Sequence, residues 1–338
     1  MLNKAARCFI IAEAGVNHNG DASLAEKLVD AAAAAGADAV KFQTFRAEAL
    51  VGAEAPLAEY QKSRSGGRSQ YEMIKALELS EADHRRLIKR CAKAGIEFMS
   101  TPFDEASADL LARLGVKRLK IPSGEITNKR LLEHVARKGK PVILSTGMST
   151  LAEVKRAVGW ILKARKVPLT VLHCVTEYPA PAAQVNLRAM DALARELRLP
   201  VGYSDHTLGT EIAVASAARG ATVLENHLTL DRAMPGPDHA ASLEPREFKA
   251  MCAAIRLVES ALGDGIKRPA PCERKNIAVA RRGVVAARDL ERGRRLTNAD
   301  LAVKRPVAGV PAERLASLLG KVLRKSLRRD QPLTKASV

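Results

Sequence analysis

Short apolar runs that close on a polar cluster alternate with longer amphipathic or alanine-rich stretches, eight times over, between Arg7 and about Leu262. The runs are CFIIAEAG, DAVKFQT, EFMSTPF, RLKIPSGE, PVILSTG, LTVLHCV, PVGYSDH and ATVLENH. Near-continuous apolarity is how a parallel strand covered on both faces reads. The intervening stretches, such as SLAEKLVDAAAAAGA and EADHRRLIKRCAKAG, place Gly36 and Gly95 as helix C-terminal glycines. Eight strand–helix units in about 250 residues predict an α/β fold, a (β/α)₈ TIM barrel with its chemistry at the C-terminal strand ends. A doubly wound open sheet is the alternative, but EAGVNHNGD after the first strand does not match the G-x-G-x-x-G phosphate fingerprint.

The texture changes after Leu262. GDGIKRPAPCERKN carries proline, glycine and charge without an apolar period and reads as a linker. The expected organisation is a barrel domain over 1–263, a linker over 264–280 and a small domain over 281–338, irregular or β-rich and close to the lower size limit for independent stability.

Composition narrows the class. With 47% hydrophobic and 27% charged residues, the chain is that of a soluble globular protein. No run approaches the roughly 20 apolar residues of a membrane span, and MLNKAARCFIIAEAG lacks the core and cleavage pattern of a signal peptide, so a cytoplasmic, non-membrane protein is expected. Cys8, Cys91, Cys174, Cys252 and Cys272 make no C-x-x-C pair, which suits thiols in a reducing compartment. Of the net charge of +18, residues from Ile266 onward supply 19 Lys/Arg against 6 Asp/Glu. That segment holds no aromatic residue for base stacking, so an anionic small substrate is the simpler partner and no nucleic acid is expected.

The candidate chemistry gathers at the strand ends. His206 and His227 close two successive strands, whose ends lie roughly 4.8 Å apart in a parallel sheet, so both imidazoles can share one divalent ion. A lone histidine more often satisfies a local hydrogen bond; two at matched positions, flanked by Ser204, Asp205, Glu225 and Asn226, favour a metal. The same mouth collects Glu13, Asn17, His18, Lys41, Gln43, Ser100, Thr101, Lys120, Ser123, Glu125, Ser145, His173, Thr176 and Tyr178. Lys41 and Lys120 sit within apolar runs, where an unpaired ammonium is costly. Either each pairs with Glu13 or Glu125, or they hold an anion together with the neighbouring hydroxyls. Pro235, Gly236 and Pro237 favour a turn that presents Asp238 and His239 to the rim.

Taken together, IAEAGVNHNGD, KFQTF, SQYEMIKALELS, STPFD, KIPSGEITN, PVILSTGMST, HCVTEYPAP, VNLRAM, VGYSDHTLG and HLTLDRAMPGPDHAASLEP resemble the sialic acid synthase family, over nearly the whole chain. The resemblance implies a TIM barrel followed by an antifreeze-like (SAF, β-clip) domain. It also implies condensation of phosphoenolpyruvate with an N-acetylated hexosamine such as N-acetylmannosamine, giving a nonulosonic acid and phosphate. By the same resemblance His206 and His227 hold a divalent metal, typically manganese, with magnesium or cobalt as other candidates. Lys41, Thr101, Lys120, Ser123, Ser145 and Ser204 bind phosphoenolpyruvate, and Glu13, with the two lysines, is catalytic. Gln43, Glu125, Tyr178 and Asp238 surround the sugar, and Arg305 reaches the partner subunit's site in a domain-swapped homodimer. Thr176 stands where sialate-forming members often carry Asn, Asn226 where Lys or Arg is common, and KRPVAGVPA where a Gly-rich stretch is usual. HCVTEYPAP is nearer to legionaminate or spore-coat members, so a different acetamido-sugar acceptor is the alternative reading. A synthase of a shorter ketosugar acid and a catalytically silent sugar-binding scaffold are the other readings.

Overall fold

The computed structural model describes residues 7–52 and 69–338. Its eight barrel strands are β1 (Phe9–Gly15), β2 (Ala39–Thr44), β3 (Glu97–Pro102), β4 (Leu119–Ile121), β5 (Val142–Ser145), β6 (Leu169–Cys174), β7 (Val201–Asp205) and β8 (Val223–His227). They pair in the order β3-β2-β1-β8-β7-β6-β5-β4, and β3 packs beside β4, so the sheet curls into a ring. The covering helices are α1 (Ala22–Ala35), α2 (Ala47–Leu50), α3 (Gln70–Lys75), α4 (Glu81–Ala94), α5 (Glu105–Arg113), α6 (Lys129–Arg137), α7 (Leu151–Ala164), α8 (Ala189–Leu197), α9 (Glu211–Ala218) and α10 (Pro245–Leu262).

Local signals explain where these helices begin and end. Asp21 accepts from the Ser23 amide at the start of α1, and Ser80 with Asp83 forms a capping box on α4. Both helices stop at left-handed glycines, Gly36 and Gly95. On α4 the spacing of His84, Leu87 and Cys91 puts all three on the buried face.

Alternation along the strands then sorts the barrel into layers. Residues such as Ile10, Val40, Leu144, Val171 and Leu224 point outward into the core beneath the helices. The opposite parity fills the ring: Ile11, Ala39, Met99, Ile143, Leu172 and Val223 form an apolar floor. Two residues further along the same strands come Glu13, Lys41, Thr101, Ser145, Cys174 and Glu225, and two beyond those Gln43 and His227. A period of two thus carries each strand from packing to chemistry in one step.

The chain divides into two compact units, Met1–Asp264 and Gly265–Val338. The stretch expected to be a plain linker holds a helix, α11 (Arg274–Ala280). It buries none of its residues, so it leaves no apolar periodicity to read. In the second unit β9 (Gly283–Ala286) pairs antiparallel with β10 (Leu301–Lys304), and bridges such as Leu290 to Leu327 tie in later segments. Val284, Leu290, Leu296, Leu301, Leu323, Leu327 and Leu333 are among its core residues.

Asp300 braces this small core. It is fully buried and accepts from Arg288 Nη2 (2.6 Å), the Thr297 amide (2.9 Å) and hydroxyl (2.8 Å), and Arg294 Nε (3.3 Å). Burial alone would raise its pKa, but Arg288, Thr297 and Arg294 outweigh that and hold the carboxyl well below the usual carboxylate range. A depressed folded pKa stabilises above the unfolded value, and that stability is lost as pH falls through the folded one. Asp300→Asn is therefore expected to cost about 2–3 kcal/mol at neutral pH. Exchange of the β9 and β10 amides measures the cost, and the gap to wild type should close only in strong acid.

Among the described residues, no helix is long and apolar enough to cross a membrane.

Candidate active site at the barrel mouth

A cavity of about 360 Å³ opens above the apolar floor. Its lining includes Glu13, Lys41, Gln43, Thr101, Lys120, Ser123, Ser145, Thr176, Tyr178, Ser204, His206, Glu225, His227 and Asp238. The volume is in the range of small-molecule sites.

Its base is a buried charge cluster. Lys41 Nζ lies 2.5 Å from Glu13 Oε2, 2.9 Å from Thr101 Oγ1 and 3.6 Å from Glu225 Oε2. Lys120 Nζ donates to Glu225 Oε1 at 2.9 Å, and Ser204 Oγ donates to the same oxygen at 3.1 Å. All four charged groups are at most 4% exposed. Burial drives the Glu13 carboxyl up to about 7, against the opposing pull of Lys41 and with a further push from Glu225. Glu225 goes the other way: burial would raise it, but Lys120 and Lys41 overcome this and keep it ionised. Burial would depress Lys41, yet Glu13 and Glu225 hold its pKa above the ordinary value, whereas burial prevails at Lys120 and lowers it. With Glu13 able to carry a proton near neutral pH, the cluster presents net positive charge to an anion. The hydroxyl of Ser145, buried and without a hydrogen-bond partner, lines the same space.

Above the lysines stand the two imidazoles. Their centroids are 5.5 Å apart at an interplanar angle of 73°, and Tyr178 stacks on His206 at 4.2 Å. His206 Nδ1 donates to the Val175 carbonyl at 2.6 Å, which leaves the lone pair on Nε2, 3.5 Å from Ser204 Oγ. His227 Nδ1 is buried without a hydrogen-bond partner, 3.9 Å from Asp238 Oδ2. Burial lowers both pKa values, His206 to about 4 and His227 well below its ordinary value, with each other's or the lysines' charge adding to the effect. Two neutral imidazoles, each with one ring nitrogen that carries a lone pair, fit a divalent cation. Among the described residues no three His, Cys, Asp or Glu side chains close a complete shell, so water or substrate oxygens would supply the remainder.

Gly15, at φ +51°, is where three of these groups meet. A Cβ there would lie 3.2 Å from Glu13 Oε1, 3.5 Å from Gln43 Nε2 and 3.6 Å from Asp238 Oδ2. Left-handed backbone and absent side chain together let a carboxylate from β1, an amide from β2 and a carboxylate from the loop after β8 converge.

Other expected residues lie elsewhere. Glu125 does not line the cavity; on the turn after β4 it accepts from Asn128 Nδ2 at 2.8 Å. Lys120 pairs with Glu225 instead. Arg305 belongs to the second unit, where it is exposed at the end of β10. Ser100 turns to Thr44 (2.6 Å), His173 donates to the Val185 carbonyl (2.7 Å), and Asn17 and His18 are buried behind the mouth. His239, expected at the rim, is fully buried. Sequence reasoning placed Glu225 at the mouth without a role, and it missed an apolar wall of Val16, Phe45, Leu50, Met73, Ile74, Leu77 and Phe103. Those residues come from several short elements and share no period.

A closed parallel barrel with lysines, hydroxyls and paired imidazoles at its C-terminal mouth defines a TIM-barrel enzyme that works on a small anion. Residues 28–267 match the NeuB family and residues 281–338 match the SAF domain. The chain is 48% identical over 328 residues to the N,N'-diacetyllegionaminic acid synthase of Campylobacter jejuni, covering 96% of this chain and 98% of that one. It is 50% identical over 325 residues to the N,N'-diacetyllegionaminic acid synthase of Legionella pneumophila, covering 95% and 91%. The crystal structure of the N-acetylneuraminic acid (sialic acid) synthetase of Leptospira borgpetersenii superposes with a TM-score of 0.71 at 36% identity, over 81% of this chain and 91% of that one. This protein belongs to the NeuB family.

Proposed function

We propose that this protein is a nonulosonic acid synthase that joins phosphoenolpyruvate to an acetamido-hexose and releases phosphate. The observation that carries the reading is the placement of Lys41 and Lys120, with Thr101, Ser123, Ser145 and Ser204, directly beneath the paired imidazoles in one cavity. The two relatives at 48% and 50% identity favour a diacetamido acceptor of the legionaminate type over N-acetylmannosamine.

In this reading the lysines and hydroxyls grip the carboxylate and phosphate of phosphoenolpyruvate and aim its methylene carbon upward. That carbon forms a bond to the aldehyde carbon of the open-chain sugar, whose oxygen takes up a proton. Water adds to the former enol carbon, and the bond from that carbon to the phosphate oxygen breaks. Glu13, titrating near neutrality, is suited to take the proton of the adding water. Gln43, Tyr178 and Asp238 orient the sugar. His206 and His227 would hold a divalent cation, manganese or else magnesium or cobalt, which supplies Lewis-acid polarisation of the aldehyde oxygen when bound. Arg305, exposed at the end of β10, is proposed to meet the sugar of the partner subunit in a homodimer.

The test is incubation with phosphoenolpyruvate, manganese and a panel of acceptors: N-acetylmannosamine, its 6-phosphate and diacetamido-hexoses. Phosphate release together with a product of the summed mass supports the reading, with the diacetamido sugars fastest. No phosphate release with any acceptor overturns it.

A further inference from the structure

The residue after Asp238 is not among those that line the cavity, yet both of its ring nitrogens meet a partner. His239 is fully buried, on a single turn, His239–Ala241. Its Nδ1 lies 2.7 Å from Thr229 Oγ1, just past the end of β8, and its Nε2 lies 3.3 Å from Asn19 Oδ1, in the loop after β1. The backbone of Gly236 lies flat against this pair: a Cβ there would be 2.7 Å from His239 Cδ2 and 2.8 Å from Asn19 Oδ1. Thr229 is itself fixed, with its hydroxyl 3.0 Å from the Asp231 carbonyl.

The main chain of Asp238 itself is also tied down. Its carbonyl accepts from Ser242 Oγ at 2.8 Å, and that hydroxyl accepts from Asn17 Nδ2 at 3.0 Å. The main chain that follows the Asp238 Cα is therefore anchored to the loop after β1, Gly236 before it packs against Asn19, and the Asp238 side chain faces His227.

We propose that His239 is a positioning residue: with Thr229 and Asn19 it forms a buried latch that joins the loops after β1 and β8 and holds Asp238 over His227, so that it governs binding of the acceptor. The proposal rests on the functional reading above, in which Asp238 meets the sugar and the lysines meet phosphoenolpyruvate. The latch is expected to act on the acceptor more than on phosphoenolpyruvate, because the side chain it seats in the cavity is that of Asp238, whereas the lysines stand on β2 and β4.

The experiment compares His239→Leu, Thr229→Val and His239→Gln in the full-length protein, with KM for both substrates and Tm as readouts. His239→Leu and Thr229→Val are expected to raise the acceptor KM about tenfold. The KM for phosphoenolpyruvate should stay within about twofold in both. His239→Gln, which keeps a donor and an acceptor, should restore most of the loss. Combining His239→Leu with Asp238→Asn should cost no more than the worse single change, as for residues acting through one another. An unchanged acceptor KM in His239→Leu, or a fall in Tm with both KM values moving together, overturns the latch and leaves the functional reading standing. A wild-type protein that releases no phosphate with any acceptor overturns both.

Discussion

His206→Ala is expected to lower turnover by about a thousandfold or more, while Tm moves by only a few degrees. The expected cause is the loss of one of the two ring nitrogens that would hold the proposed divalent cation, whose Lewis-acid contribution to such barriers would be several kcal/mol. The fold is spared because the lost Nδ1 bond to the Val175 carbonyl lies at the rim, above the packed floor. Phosphate release under saturating phosphoenolpyruvate and acceptor measures the effect. Manganese binding, followed by the relaxation of bulk water protons, should weaken in parallel. Turnover near that of wild type would remove the imidazole pair from the chemistry.

Glu225→Ala is expected to damage stability and activity together. Its carboxylate is the partner of Lys120 at 2.9 Å and a second neighbour of Lys41 at 3.6 Å, all three groups being buried. Removing one member of a buried pair leaves an uncompensated ammonium, a cost of about 3–5 kcal/mol. Urea unfolding of the barrel should show this directly. Glu225→Gln, which keeps the shape, should recover part of the stability but not the phosphoenolpyruvate KM, since Lys120 then loses the charge that orients it. A Glu225→Ala protein as stable as wild type would mean that the cluster is hydrated, and that the charges do not depend on one another.

These two residues also mark how far the sequence can be read. His206 and His227 end adjacent strands, so their meeting follows from strand order alone, and the eight apolar runs, with the glycines that close α1 and α4, make that order visible. Lys120 and Glu225 sit on β4 and β8, on opposite sides of the ring and 105 residues apart. Their pairing depends on how the barrel closes, and the local pattern offered the nearby Glu125 instead. Seating the Asp238 loop by an inward-facing His239 was equally invisible, because PGPDH reads as a surface turn until Asn19 and Thr229 are brought to it. Helix α11 escaped because a short exposed helix carries no periodic signal.

The layer of Ile11, Met99, Ile143, Leu172 and Val223 has a kinetic meaning as well as a packing one. It makes the barrel a blind tube, with traffic at one end. On the proposed reading, the anion that settles on the lysines is expected to arrive before the acceptor occupies the histidine level above, and the product group released at the deeper level is expected to leave last.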